Sequence, residues 1–478
     1  MSNKIIEKTN TAVKLRLLFK GGQQAVALVM GILLARILSP AEFGVIAIVN
    51  MVVYYANNFT NFGLNNALVQ KDEIQKTHIN TVFTLDLIFS VILLVLTVLF
   101  AEHIAFFFHN SSVAPALRWM SLYYVITTFY HIPIVILRRE IDFKFLTIIE
   151  FFEALLTSSI AIALALAGYS YWSIIIASLV MPIVTALILM LKTRWLPKII
   201  IGKNMRGLYS FGLWSFIRAQ IELIVSKIDY FVIGRYLDVQ SLGIYEKSFE
   251  LTGRAMAGLS MPLHGVFFST FSRSKNDINQ VKQIFLETSA ILALICYPVL
   301  FGLIGVAQHF VMSCLGSQWE HAIVPIQILA TASFFRVLLG NVANVNVAIG
   351  KYKAHTLING ISAAIFILLC FVFAKYGIVA ISFASLFYSL LAFSTSFWLM
   401  CVFINVTLIE LLRAIWCPLT GAVLMLFVVL SLRSTVLTNY LSFLQLLCLI
   451  IAGAIVYLGW CYFFYRRGLI AFSIKGIG

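Results

Sequence analysis

The polar side chains that could do chemistry in this sequence interrupt otherwise apolar stretches. Around residues 50–66 the chain is rich in amides, and at about 100° per residue five polar side chains fall within one helical stripe roughly 80° wide. The stripe consists of Asn50, Tyr54, Asn57, Asn61 and Asn65. Amides in an apolar helix either bond neighbouring helices or line a water-filled cavity. The sequence leaves both interpretations open.

Two later apolar stretches carry charged side chains, which are costly inside a bilayer and usually face a cavity or a partner. At helical spacing the first set spans about 40° of arc and the second about 100°. The sets are Arg218, Glu222 and Asp229, followed by Glu246, Lys247, Glu250 and Arg254. Structural pairing of carboxylates with Arg or Lys between helices is one interpretation. The other is a hydrated cavity in which arginines bind phosphate.

Four further ionisable side chains stand alone in apolar surroundings, and we expect each to be paired locally. They are Asp86, Arg118, His131 and Arg336.

All these side chains must be positioned by membrane-spanning helices. The 478-residue chain is 61% hydrophobic and 11% charged, which is too apolar for a soluble protein, and apolar runs of about 20 residues recur along it. Because backbone groups cannot stay unpaired in lipid, these runs are predicted to be helices, and the short alternating strands of a barrel are absent. The sequence therefore predicts an all-α integral membrane protein with about fourteen transmembrane helices.

An internal repeat predicts how the helices are grouped. ARILSPAEFGVIAI at 35–48 aligns with GRYLDVQSLGIYEK at 234–247, which pairs Gly44 with Gly243. Each copy joins a first helix to a second across an outer turn, so we expect two pseudo-symmetric six-helix bundles of the same orientation. The predicted divisions are a cytoplasmic N-terminus (1–12), an N-terminal bundle (13–192), a basic cytoplasmic linker (193–206), a C-terminal bundle (207–403), and helices 13 and 14 with a cytoplasmic tail (404–478).

The basic residues predict the orientation of the chain. Outside the predicted spans, Lys and Arg concentrate at the ends that share a side with the N-terminus. The opposite ends carry only Arg36, Arg235, Lys375 and Arg433. By the positive-inside rule both termini are cytoplasmic. The net charge of +15 is then explained by topology and by anionic membrane lipids rather than by nucleic acid.

Several classes of protein are disfavoured by what the sequence lacks. It contains neither a G-x-x-x-x-G-K-[ST] phosphate loop nor an H-E-x-x-H zinc pair, and its loops are too short to hold a glycan polymerase or transferase site. The seven scattered cysteines resemble packing residues rather than disulfides or metal ligands. We expect a transporter and not an enzyme, with no catalytic residues, metal or cofactor.

Longer stretches resemble a known family. They are LLARILSPAEFGVIAIV (33–49), NFGLNNALVQKDE (61–73), ILRREIDFK (136–144), DYFVIGRYLDVQSLGIYEKSFEL (229–251) and LGSQWEHAIVPIQILA (315–330). As a set they resemble the polysaccharide transporters, the Wzx-type lipid-linked oligosaccharide flippases, whose superfamily also includes multidrug exporters. The resemblance implies movement of undecaprenyl-pyrophosphate-linked repeat units between leaflets of the bacterial inner membrane by alternating access, for O-antigen, lipopolysaccharide or exopolysaccharide synthesis.

The resemblance also suggests roles for the polar residues. Amides and aromatic rings suit sugars, and arginine suits pyrophosphate. Candidate substrate contacts are Asn57, Asn61, Asn65, Arg218, Lys247 and Arg254, and candidate ion-coupling residues are Asp86, Glu222, Asp229 and Glu250. Implied partners are the lipid-linked glycan, membrane lipids, a polysaccharide polymerase and glycosyltransferases. The alternative is a cation-coupled multidrug or small-molecule antiporter of the same superfamily.

The predicted topology can be tested by labelling. Tags at either terminus, and cysteines placed in the turn at 194–204, should react only from the cytoplasmic side because the basic residues around them stay inside. Labelling of that turn from outside intact cells would contradict the even helix count.

Overall fold

The computed structural model describes residues 2–60, 64–70, 74–140, 142–202, 227–435 and 443–467. Those ranges are helical, with no β-strand in them, which confirms the all-α prediction. Nine helical stretches within the described residues are long and apolar enough to cross a membrane. The chain is therefore a multi-pass membrane protein.

The chain divides into two compact units, Met1–Glu246 and Lys247–Gly478. The first unit contains α1 (Ser2–Ile37), α2 (Pro40–Thr60), α3 (Leu64–Gln70), α4 (Lys76–Phe107), α5 (Val113–Met120), α6 (Leu122–Arg139), α7 (Phe143–Leu166), α8 (Trp172–Thr193), the described part of α9 (227–236) and the first turns of α10 (Val239–Ser274). Within it α1 packs along α7, α7 on α8, α8 on α6, and α6 on α4. Helix α4 also contacts α2, α3 and α5, and the buried face of its middle turns carries Asp86, Ser90 and Thr97.

The second unit is built around α11. It contains the rest of α10, followed by α11 (Ile278–Phe310), α12 (Ile323–Ala348), α13 (Tyr352–Phe373), α14 (Gly377–Ile404), α15 (Leu408–Thr435) and α16 (Phe443–Arg466). Short π and 3-10 turns at Val311–Leu315 and Ser317–Ala322 join α11 to α12. Helix α11 packs on α12, α15 and α16, while α14 packs on α12 and α13. The two C-terminal helices are thus held by α11 and by each other.

Some helices extend further than the sequence predicts. Helix α1 begins at Ser2, so the polar segment predicted to precede the first span continues it in helical conformation. Between Val113 and Arg139 the chain is divided at Ser121 into α5 and α6. The Ser121 hydroxyl donates to the Arg118 carbonyl at 2.7 Å. Residues 195–202 of the predicted linker run beside α4, where the Ile200 and Gly202 amides donate to the Thr84 and Thr81 hydroxyls at 3.0 and 2.8 Å.

The two copies of the repeat meet in the first unit. A Cβ atom on Gly44 of α2 would lie 1.7 Å from the Val239 carbonyl oxygen of α10, and one on Gly243 would lie 1.9 Å from that of Pro40. Both helix starts are capped, by Ser39 with Glu42 in α2 and by Asp238 in α10. The paired glycines of the repeat therefore allow two helix backbones to touch.

This contact leads to a stability prediction. Gly44→Ala and Gly243→Ala should each lower stability by about 1–3 kcal/mol, because the added methyl group must push the helices apart. Thermal unfolding of the purified protein in detergent measures the loss. Gly360→Ala on α13 is the matched control, since nothing lies within 4 Å of its added carbon. Equal unfolding temperatures for all three variants would contradict the packing role.

Candidate functional site

The asparagine-rich stripe lies on α2 and α3. Half-buried Asn57 accepts a hydrogen bond from the Thr127 hydroxyl of α6 at 3.2 Å. The Oδ1 atom of Asn65 is buried and has no hydrogen-bond partner among the described residues. Asn61 lies outside the described residues. One amide of the stripe thus ties α2 to α6, and another presents an unused acceptor.

The earlier turns of the stripe reach the surface of the first unit. Asn50 is exposed, and the Tyr54 side chain is 55% exposed. Asn58 donates its amide to the Tyr54 carbonyl at 2.7 Å, so it is held by its own helix. On the other side of α2, Val52 is half-buried and Phe59 is exposed. The part of the stripe on α2 therefore passes from exposed Asn50 to half-buried Asn57.

The charged run on α10 forms two ion pairs along one helix. Lys247 contacts Glu250 at 2.6 Å, and Glu250 contacts Arg254 at 2.7 Å, at spacings of three and four residues. The Lys247 side chain is 2% exposed and that of Arg254 is 42% exposed. One interpretation of the sequence is pairing between helices, whereas these pairs form within one helix because adjacent turns already bring the charges together. Counted with Glu246, the run holds two cations and two carboxylates, so its charges balance overall.

Asp229 lies in the first unit and is buried. Its carboxylate accepts hydrogen bonds from the Tyr245 hydroxyl at 2.8 Å and the Tyr230 amide at 3.0 Å. The ammonium group of Lys227 lies over the Tyr230 ring, 3.8 Å from its centroid. Aromatic hydroxyl and backbone donors thus stabilise this carboxylate at the junction of α9 and α10.

The isolated ionisable residues have partners, as expected. His131 Nδ1 lies 2.7 Å from Asp86 Oδ2. Arg118 and Glu102 form an ion pair at 2.7 Å on the surface of the first unit. In the second unit, the Arg336 guanidinium donates to the hydroxyls of Ser389 and Ser385 at 3.0 and 2.5 Å and stacks over the Phe249 ring.

The first unit holds a further acidic side chain that the sequence analysis did not single out. Glu153, in the middle of α7, shares a hydrogen bond with Thr185 of α8. Tyr123 and Tyr130 of α6 lie in the field of this carboxylate, and their hydroxyls are 3.5 Å apart. The sequence contains the feature that could have identified Glu153, because a lone Glu inside an apolar run is a candidate functional residue by default.

The predicted site residues fall into both units. Asn57, Asn65, Asp86 and Asp229 belong to the first unit, and Lys247, Glu250 and Arg254 to the second. Arg218 and Glu222 lie outside the described residues. The roles assigned to all of these residues stay predictions.

Comparison with known sequences identifies related proteins. Residues 33–325 match the family described as "Polysaccharide biosynthesis protein". The teichuronic acid biosynthesis protein TuaB of Bacillus subtilis is 24% identical over 303 residues, which cover 62% of this chain and 62% of that protein. The lipopolysaccharide biosynthesis protein WzxC of Escherichia coli is 21% identical over 327 residues, covering 65% and 63%. The matches span less than two thirds of these relatives.

Two solved structures share the fold. The lipid II flippase MurJ in an inward closed conformation superimposes with a TM-score of 0.77 at 16% identity, covering 95% of this chain and 100% of MurJ. An inward-facing multidrug resistance MATE transporter of the MOP superfamily gives a TM-score of 0.64 at 14% identity, covering 82% and 98%. The chain therefore has a MurJ/MATE-type fold.

The bond between α2 and α6 can be measured directly. We expect Asn57→Ala and Thr127→Val to be non-additive in thermal unfolding of the purified protein, with a coupling of about 0.5–1.5 kcal/mol, because each removes the same hydrogen bond. Asn58→Ala with Thr127→Val is the matched control and should be additive, since Asn58 bonds within its own helix. Additive losses for Asn57 and Thr127 would show that this bond does not hold the helices.

Proposed function

Because the chain belongs to the polysaccharide biosynthesis protein family, we propose that it is a flippase that moves lipid-linked saccharides across the membrane. The observation that carries this proposal is the fold shared with the lipid II flippase MurJ over almost the whole chain. The relatives named for teichuronic acid and lipopolysaccharide biosynthesis agree with it. We assign the protein a transport role and not an enzymatic one.

The substrate that we propose is an undecaprenyl-pyrophosphate-linked oligosaccharide repeat unit. The two cations of the charged run on α10 support it, because lysine and arginine stabilise phosphate oxygens, arginine through paired donors. Arg254 is the accessible member of this run, with a 42% exposed side chain, and Lys247 is the buried one. Amides such as Asn57 and Asn65 can donate to and accept from sugar hydroxyls. We keep Asn61 and Arg218 in the proposed substrate set on sequence grounds.

The mechanism that we propose is alternating access. Two bundles move relative to one another so that the polar headgroup is reached first from the inner and then from the outer leaflet, while the polyprenyl tail stays in lipid. About fourteen spans, arranged as bundles at 13–192 and 207–403 with two further helices at 404–478, fit such a cycle. We place both termini in the cytoplasm of a bacterial cell, and we expect a polymerase and glycosyltransferases to act before or after the flippase.

A cation-coupled antiporter of small molecules is the second candidate. The likeness to MATE transporters supports it, although both the TM-score and the covered share are lower than for MurJ. The two candidates differ in cargo. A flippase must bind a phosphate-bearing headgroup, whereas an exporter of cationic drugs needs a site that is acidic or aromatic.

Transport by the purified chain separates the two candidates. In proteoliposomes containing a fluorescent polyprenyl-pyrophosphate oligosaccharide, the wild-type protein should make the label accessible to an external quencher. Arg254→Gln should slow this about tenfold or more, because a charge-assisted bond contributes about 1.5–3 kcal/mol.

The matched control for that experiment is Arg118→Gln, which removes an arginine from a surface ion pair and should transport at the wild-type rate. Both variants should reconstitute in equal amounts. Transport of a cationic dye such as ethidium, without movement of the labelled lipid, would favour the antiporter and reject the flippase.

A further inference from the structure

A carboxylate–imidazole pair between two helices lies in the interior of the first unit. His131 Nδ1 of α6 is 2.7 Å from Asp86 Oδ2 of α4, and the two side chains are 15% and 2% exposed. Asp86 is three turns into α4, a helix long and apolar enough to span the membrane. A carboxylate at that depth is costly unless a partner compensates its charge.

The second oxygen of this carboxylate is unused. Asp86 Oδ1 is buried and has no hydrogen-bond partner among the described residues. An ionised carboxylate normally accepts bonds at both oxygens, and a buried acceptor left empty costs free energy. A proton is the smallest ligand that would satisfy it.

In the described parts of the surrounding helices, no Lys or Arg is placed to balance Asp86. In the described parts of α2, α3, α4, α5, α6, α7 and α8, every Lys and Arg lies in a terminal turn, as the sequence of each helix shows. These residues are Lys76, Arg118, Arg138, Arg139, Lys144 and Lys192. The charge of the pair therefore depends on the protonation of His131 and Asp86 themselves.

Other titratable groups face the pair or lie along its helices. On α6 the Tyr130 and His131 rings pack edge to face, with their centroids 5.3 Å apart. The Tyr130 hydroxyl lies within electrostatic range of Asp86 and Glu153. The remaining groups are Glu42, Tyr54 and Tyr55 on α2, His78, Glu102 and His103 on α4, Tyr123 and Tyr124 on α6, and Glu150 on α7. Glu102 and Glu150 pair with Arg118 and Lys20, Glu42 accepts from the Ser39 amide, and Glu153 bonds to Thr185.

We propose that Asp86 and His131 together form a site that binds and releases one proton in each transport cycle. The inference rests on the proposed transport function, for which it supplies a coupling ion. Without the extra proton, neutral His131 donates its Nδ1 proton to Asp86 and the pair carries one negative charge. The arriving proton binds either His131 Nε2 or Asp86 Oδ1, and in both forms the pair becomes neutral overall. No other bond forms or breaks, and the proton returns to water on release.

The surroundings suit a proton better than an alkali metal ion. Hard cations require several oxygen ligands, whereas one oxygen of Asp86 already binds an imidazole nitrogen. One turn further along α4, the Ser90 hydroxyl bonds to the Thr128 hydroxyl of α6 at 2.9 Å. These hydroxyls satisfy each other. Neutralising a buried charge also lowers the cost of moving the pair between conformations.

Infrared spectroscopy of the full chain in lipid detects the site directly. Difference spectra recorded while the pH is varied should contain a carboxyl band, either the C=O stretch of a protonated carboxyl or a shifted carboxylate stretch. Asp86→Asn should remove this band, and His131→Gln should shift its titration midpoint. Glu102→Gln is the matched control, because it removes an exposed carboxylate from the same helix and should leave the band intact. Both Asp86 and His131 variants must elute as the wild-type protein does on size exclusion.

Survival of the band in Asp86→Asn, or the same titration midpoint in His131→Gln, would overturn the proposal. So would displacement of the proton when sodium replaces choline in the buffer, because the site would then bind sodium. The spectrum needs no transported substrate. Failure of the lipid-transport assay with an intact carboxyl band would therefore reject the flippase and retain the proton site, and the reverse result would reject the proton site alone.

Discussion

A polar atom in hydrocarbon finds no water, so each polar side chain of a spanning helix needs a partner within the protein. Hydroxyls meet this requirement locally. Thr81, Thr147 and Ser158 each donate to the carbonyl four residues earlier, at 2.7, 2.7 and 2.8 Å. Such bonds leave the helix free to rotate or slide against its neighbours. Serine and threonine are therefore tolerated widely in this chain, and some, such as Ser90 with Thr128, form a bond to a neighbouring helix as well.

Amide and carboxyl side chains have more hydrogen-bond donors and acceptors than their own helix can satisfy. They therefore form bonds to neighbouring helices. Buried Asn341 of α12 donates to the hydroxyls of Thr288 and Ser289 on α11 at 3.0 and 2.9 Å. As acceptors, Asn57 links α2 to α6 through the Thr127 hydroxyl, and Asp86 links α4 to α6 through His131. Glycine acts at the other extreme, since Gly44 and Gly243 offer no side chain and let two backbones touch.

The two units arrange their charged pairs differently. In the second unit, Lys247, Glu250 and Arg254 compensate one another along α10. These three side chains lie on one helix and would move together with it. In the first unit, the partners Asp86 and His131 lie on separate helices. Relative movement of α4 and α6 would change their environment, which suits a group whose protonation accompanies a conformational change.

The sequence alone determined the features that depend on local chemistry. Apolar run length specified an all-α membrane protein, and the spacing of Lys247, Glu250 and Arg254 placed them on one face of a helix because helical periodicity is local. The repeat identified Gly44 and Gly243 as equivalent positions. Only the tertiary structure showed that these two glycines contact the opposite helix start, that Thr127 binds Asn57, and that His131 binds Asp86. Such partners lie far apart in the chain, and the rotation of each helix about its axis, which decides them, is set by packing against every neighbour at once.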